Sequence, residues 1–169
     1  MAEIEIVVHG LPGPQGSKKF VGRNRAGRGI LVESSAKVKP WRAAVSAAAL
    51  AVRPTTPLDG PLQVDMVFTM PRPKSHYGTG RNAGVLKPRY VGATPYRVPD
   101  LSKLCRSTED ALTDAGVWAD DARVVEYGRL AKVYADSPDP DALAVPGAVI
   151  RVRAYVPAGL LITEIGGAA

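Results

Sequence analysis

Apolar positions alternate from the start of the chain: Ile4, Ile6 and Val8 take one side and Glu3, Glu5 and Val7 the other, until Gly10-Leu11-Pro12-Gly13-Pro14 halts the run. A period of two marks a half-buried strand and a Gly/Pro cluster marks a turn, so a strand and then a loop are predicted. The loop reads as Gly- and Arg-rich as far as Gly29. Pro40 suits the first turn of a helix, and Trp41-Arg42-Ala43-Ala44-Val45 onward to Val52 is rich in strong helix formers before Pro54 closes it. Leu62, Val64, Met66, Phe68 and Met70 alternate with Gln63, Asp65, Val67 and Thr69 as a second strand, which ends at Pro71-Arg72-Pro73. Leu101, Leu104, Cys105, Thr108, Ala111, Leu112 and Ala115 recur at helical spacing, with Asp100 as N-cap and Gly116 placed to end the helix. After the short connection Trp118-Ala119-Asp120-Asp121, Val124 to Tyr134 reads as a strand and Asp136 to Pro146 as a loop. Ala148, Ile150, Val152, Ala154 and Val156 alternate with Val149, Arg151, Arg153 and Tyr155 as a last strand. This order predicts an α/β (α+β) fold: a mixed sheet of about four strands with two main helices packed on it.

The length of 169 residues, 46% of them hydrophobic, suffices for one well-buried core and is short for two domains. A single domain over 1–157 is expected, with a small, apolar tail over 158–169. Cys105 is the one cysteine, too few for an internal disulfide or a Cys-built metal site, which fits a reducing compartment. No apolar run approaches the roughly 20 residues of a membrane span, and MAEIEIVVHG carries acids where a secretion signal is basic. A soluble, cytoplasmic protein with no membrane partner is expected.

Charge narrows the choice of partner. The net charge is +6, and its distribution is uneven: residues 16–42 hold eight Lys/Arg against Glu33, and 71–97 hold six with no acid, whereas 98–169 hold seven bases against eleven acids. Two basic segments favour a polyanion, nucleic acid first. Lys18, Lys19, Arg23, Arg25 and Arg28, and Lys74, Arg81, Lys87 and Arg89, together with Lys103, are the candidate phosphate contacts. The stretch 71–99, rich in Pro, Gly and Tyr, reads as a long, basic, mobile loop, and loops of that length are uncommon unless they act on something. Tyr77, Tyr90 and Tyr96 among its bases suit stacking on unpaired nucleotides, or simply a solvated loop. His76 is a candidate phosphate contact, though a lone loop histidine is more often incidental. Trp41, Trp118 and Cys105 read as core residues.

Candidate chemistry lies in the acids. Asp120 and Asp121 are adjacent like charges, and a helix that doubles back on the sheet would bring Asp100 near them. Clustered carboxylates repel unless a cation sits among them, and oxygen-only sets suit Mg²⁺ or Mn²⁺. In a basic protein this combination suggests phosphodiester hydrolysis. The plainer reading of the same residues is a helix cap and two turn formers.

Pro99-Asp100-Leu101-Ser102-Lys103-Leu104, followed by the continuous run from Glu109 through Asp114-Ala115-Gly116-Val117-Trp118-Ala119-Asp120-Asp121 to Val125, closely resembles the signature of the RusA family of Holliday junction resolvases of bacteria and their phages. Weaker echoes are Gly13-Pro14-Gln15-Gly16-Ser17, Lys39-Pro40-Trp41-Arg42 and Pro71-Arg72-Pro73-Lys74. The resemblance implies a small homodimeric α/β nuclease that cuts four-way DNA junctions by symmetric nicks using Mg²⁺. It puts Asp100 and Asp121 on two catalytic acidic positions and Asp120 beside the latter. Two positions depart from the family pattern: Ser102 stands where an acid is common, and Arg106 where a functional lysine is. Arginine keeps the charge but cannot act as a base. Ser102, Arg106 and Glu109 share a helix face. Within the resemblance, Ser102 could still hold a metal-bound water and Asp120 could supply the missing carboxylate. A metal-dependent endonuclease in recombination and repair is therefore expected; the alternatives are a non-catalytic branched-DNA binder on the same scaffold and, less favoured, an RNA-directed nuclease.

Overall fold

The computed structural model describes residues 3–16, 18–23, 25–33 and 36–157; the expected tail over 158–169 lies outside the described residues. Eight elements follow in order: β1 (Ile4–His9), β2 (Lys18–Arg23), β3 (Gly29–Glu33), α1 (Val38–Val52), β4 (Leu62–Met70), α2 (Leu101–Asp114), β5 (Val124–Tyr134) and β6 (Gly147–Ala154). The main sheet has the order β1-β6-β4-β5, and β2 and β3 form a separate hairpin. β6 runs antiparallel to both β1 and β4, and β5 runs parallel to β4, from Leu62 beside Val124 to Met70 beside Tyr134. A parallel pair needs a crossover, and α2 lies within it. The architecture is thus the mixed four-stranded sheet with two helices that the alternation predicts.

One face of the sheet makes the core. Ile6, Val8, Val64, Met66, Phe68, Ile150 and Val152 are buried there against Trp41, Val45 and Ala49 of α1 and Leu104, Ala111 and Leu112 of α2. Trp41 joins the layers: its ring lies 6.3 Å from that of Phe68, and its Nε1–H donates to Thr108 Oγ1 at 3.0 Å. Arg42 ties the helices at the surface through Asp110 and Asp114, at 3.2 and 2.6 Å. Trp118 and Cys105 are core residues too, as expected. α2 ends as its sequence predicts: Gly116 takes φ +73°, its N–H donates to Thr113 O and that of Val117 to Leu112 O.

The opposite face is an ion-pair lattice. Asp141, itself buried, takes Arg129 and Arg151 at 2.7 Å each, and Arg153 joins Asp65 at 2.8 Å. Asp139 joins Arg129 in the same lattice, and Glu3, just before β1, and Glu5 within it pair with Arg153 and Arg151.

Three expectations change. The Gly/Arg-rich stretch is not all loop, because β2 and β3 pair within it; its alternation is too basic and too interrupted, with an irregularity between Phe20 and Gly22, to announce strands. The stretch 71–99 does stay out of the core apart from Pro95, yet short single turns at Lys74–His76, Gly80–Asn82 and Pro88–Tyr90 organise it, with bridges Tyr77 to Leu86 and Gly78 to Ala83. Asp100 holds the N-cap position of α2 but makes no side-chain cap; its carboxylate meets Lys103 Nζ at 3.1 Å instead.

Candidate functional site

Asp100 stands at the wall of a cavity of about 730 Å³ between the 71–99 stretch, the 11–16 loop and the start of α2. The loop is fixed by close contacts: Ser107 Oγ donates to Gly13 O at 2.6 Å and the Gln15 N–H to Lys103 O at 2.8 Å. A Cβ at position 13 would fall 2.1 Å from Lys37 O, so only glycine allows this approach to α1. On the far wall His76 stacks on Tyr90 at 3.8 Å with planes 8° apart, and Tyr134 meets His76 edge-on at 5.8 Å. Arg72 holds this wall in place, with its guanidinium 4.2 Å above the Tyr134 ring, paired to Asp136 at 2.8 Å and donating to Tyr90 O at 3.2 Å. Desolvation and then the Arg72 charge lower the His76 pKa, which disfavours a charged ring in the stack. Lys132 of β5 donates to Arg97 O and Pro99 O at 2.8 and 2.7 Å, which brings an ammonium beside Asp100; desolvation lowers its pKa while Asp100 opposes the shift.

Asp120 and Asp121 lie elsewhere. Asp120 Oδ1 accepts the Ala122 N–H at 2.8 Å and caps the single turn Asp121–Arg123, which is the plainer role. Asp121 is exposed on that turn and close enough to Glu109 for its charge to help raise the Glu109 pKa, although desolvation contributes most to that rise. Glu109 accepts from the Tyr127 hydroxyl, which in turn accepts from Cys105 Sγ at 3.2 Å. Burial pushes the Cys105 thiol up to about 11 and keeps it protonated.

α2 accounts for the separation. It lies along β5 with its first residue at the strand's end and Glu109 beside Tyr127, so Asp100 belongs to the Lys132 end and Asp121 to the Val124 end. Val124 and Lys132 are about 26 Å apart at about 3.3 Å per strand residue. Among the described residues no group of three or more His, Cys, Asp or Glu side chains could hold a metal ion. One chain therefore does not bring Asp100 to Asp120 and Asp121.

Between these ends α2 exposes Ser102, Lys103 and Arg106, with Glu109 half-buried beyond them. Of the other bases, Arg23, Arg25, Arg28, Lys74, Arg81 and Arg89 are exposed, Arg89 over the Tyr90 ring at 4.8 Å, and Lys87 donates to Ser75 O at 2.9 Å. The side chains of Lys18 and Lys19 lie outside the described residues. Lys132, Arg97 and Gln15 border the cavity without having been singled out from sequence. Gln15 stood in the Gly13–Ser17 echo, and Lys132 was hidden in an ordinary strand pattern.

The profile of the family described as Endodeoxyribonuclease RusA matches residues 10–140 of the 169. A curated relative from Bacillus subtilis (strain 168), an uncharacterized protein YqaN, is 28% identical over 140 residues, which cover 80% of this chain and 90% of its own. Among the described residues no helix is long and apolar enough to cross a membrane.

Proposed function

Because the chain belongs to the RusA endodeoxyribonuclease family, we propose that it cuts branched DNA, four-way junctions above all, by paired nicks during recombination and repair in the bacterial cytoplasm. The observation that carries this reading beyond the family match is the setting of Asp100. A family acid stands at a basic, aromatic cavity, flanked by Lys103 and Lys132 and bordered by the +6 segment over 71–97. Cations at that spacing offset phosphate charge, while unpaired bases at a crossover suit aromatic walls. Arg106, exposed one turn beyond Ser102, serves as a fixed positive charge and not as a base.

Mg²⁺, or Mn²⁺ in its place, is the proposed cofactor, and it supplies charge neutralisation and water activation when bound. The acids of a single chain do not fit it as a set, since Asp100 is parted from Asp120 and Asp121. A second copy offers a remedy: in a two-fold dimer a contact between residues i and j occurs twice, so the Asp100 end of one protomer can meet the Asp121 end of the other. The sheet edge β5 and the exposed face of α2 beside it, with Val125 56% and Tyr127 38% exposed, are the surfaces such a pairing would cover. Two sites related by a two-fold axis also match the near two-fold symmetry of a four-way junction.

The other reading, a non-catalytic branched-DNA binder, is favoured by Ser102 alone. A synthetic four-way junction with and without Mg²⁺ separates the two. Paired, metal-dependent nicks at symmetric positions support the nuclease; tight binding with no cleavage in Mg²⁺ or Mn²⁺ supports the binder; preference for linear duplex overturns both.

A further inference from the structure

The cavity beside Asp100 has features that hydrolysis of a phosphodiester does not require. Its roughly 730 Å³ lies within the range of about 300–1,000 Å³ typical of small-ligand sites. Its walls include six prolines and the rings of His76, Tyr90, Tyr96 and Tyr134, and a bound phosphate would use none of that surface. Gln15 borders it, and the Gln15 Oε1 atom is sealed from solvent with no hydrogen-bond partner. A buried acceptor without a donor is destabilising, and natural structures rarely keep one without use for it. A turn of the carboxamide would present this oxygen to whatever fills the cavity. Tyr90 lies between His76 and Arg89, so it backs the His76 ring and leaves the outer face of His76 as a flat wall already set, with Arg72 holding the pair through its own partners.

Resting on the nuclease reading for its choice of ligand, we propose that this cavity takes one unpaired nucleobase next to the scissile phosphate, stacked on the aromatic wall and read by Gln15 through an exocyclic amino group. An amide oxygen only accepts. Cytosine, adenine and guanine carry an amino donor on the pairing edge, whereas thymine presents a single N–H between two carbonyls that repel the amide oxygen. A base held in a duplex cannot enter, but one freed at a crossover can, so the cavity selects both for unpaired DNA and for an amino-bearing base. Lys37 and Lys103 at the border then face the backbone on either side of that base.

The test needs neither a junction nor a metal. Single-stranded hexamers of dC, dA and dT, end-labelled, are titrated with the full chain in EDTA and followed by fluorescence anisotropy. Hexamers of dC and dA should bind about two- to tenfold more tightly than dT, the worth of one net hydrogen bond. Gln15→Met, close in shape, should level the three affinities, and His76→Leu should weaken dC and dA by about fivefold or more through lost stacking. Equal affinities for the three hexamers in the wild-type chain, no binding to any of them, or discrimination that survives Gln15→Met would each overturn the proposal. The wild-type comparison decides even where a variant does not fold. Hexamer discrimination without junction cleavage would remove the nuclease and keep the pocket; cleavage without discrimination would do the reverse.

Discussion

If a working site takes Asp100 from one protomer and Asp121 from the other, two dead variants should restore each other. Asp100→Asn or Asp121→Asn alone removes one acid from both sites of a dimer, and each should lose about 10²–10³-fold or more in cleavage, as lost charge stabilisation at a phosphoryl centre does. Binding should hold or tighten, because removing a negative charge near phosphate favours the contact. The geometry decides what a mixture does. Asp100 lies at the Lys132 end of β5 and Asp121 at its Val124 end, and among the described residues no three-acid group could hold an ion within one chain. In a mixed dimer, one site pairs both altered residues and the other pairs both native ones. Random exchange at equal concentrations makes half the dimers mixed, each with one intact site of two, so about a quarter of wild-type nicking should return. The assay is a denaturing gel of a four-way junction labelled on each strand in turn. Mixed dimers should leave nicked junctions and few resolved duplexes, because the second strand has no site. Recovery that stays at the level of the single variants, while differently tagged chains are shown to co-purify as mixed dimers, would refute the shared site. Full activity of Asp121→Asn alone would remove Asp121 from catalysis.

Replacing Arg23, Arg25 and Arg28 together by Ala should flatten the slope of log affinity against log salt by about two to three units, if all three meet phosphates; an unchanged slope would turn that hairpin away from DNA. Ser102→Ala should be mild, and Ser102→Asp should keep or raise Mg²⁺-dependent cleavage; an inactive wild-type chain rescued by Ser102→Asp would favour the binder reading. Asp141→Asn should destabilise the fold by about 1.5–3 kcal/mol at neutral pH, as loss of charge-assisted hydrogen bonds from a buried carboxylate does. The hydrogen bond from Arg151 lowers the Asp141 pKa below its ordinary 3.8, so this contribution is complete above the ordinary carboxylate range and fades as pH falls through the lower folded value. Urea unfolding at pH 7 and at pH 2.5 should therefore show a smaller gap between variant and wild type in acid; an equal gap would contradict the ion-pair account.

The fold was legible wherever one face of an element is buried, because burial imposes a period. β1, β4 and β6 alternate since one side meets α1 and α2, and α2 shows its stripe from Leu104 to Leu112 for the same reason. β2 and β3 escaped because their pairing lies apart from the main sheet and leaves no alternation to read. The acids were legible as residue types and as a family signature but not as an arrangement. The run from Asp100 to Asp121 is a helix followed by a connection into a strand, and nothing in its spacing says whether that helix returns its first residue or its last to the strand's beginning. The hydrogen bonds of Lys132 to Pro99 O and of Tyr127 to Glu109 answer that: the helix is laid antiparallel to β5, so the two ends of the signature face opposite ends of the sheet. A signature continuous in sequence is thus divided in space, and that division is the ground for proposing a site shared between two protomers. The cavity was illegible for a related reason. Gln15, Tyr90, Asp100 and Lys132 come from four separate stretches, and long-range contacts such as those of Ser107 with Gly13, Gln15 with Lys103, Arg72 with Tyr90 and Tyr134, and Lys132 with Pro99 bring those stretches to one place.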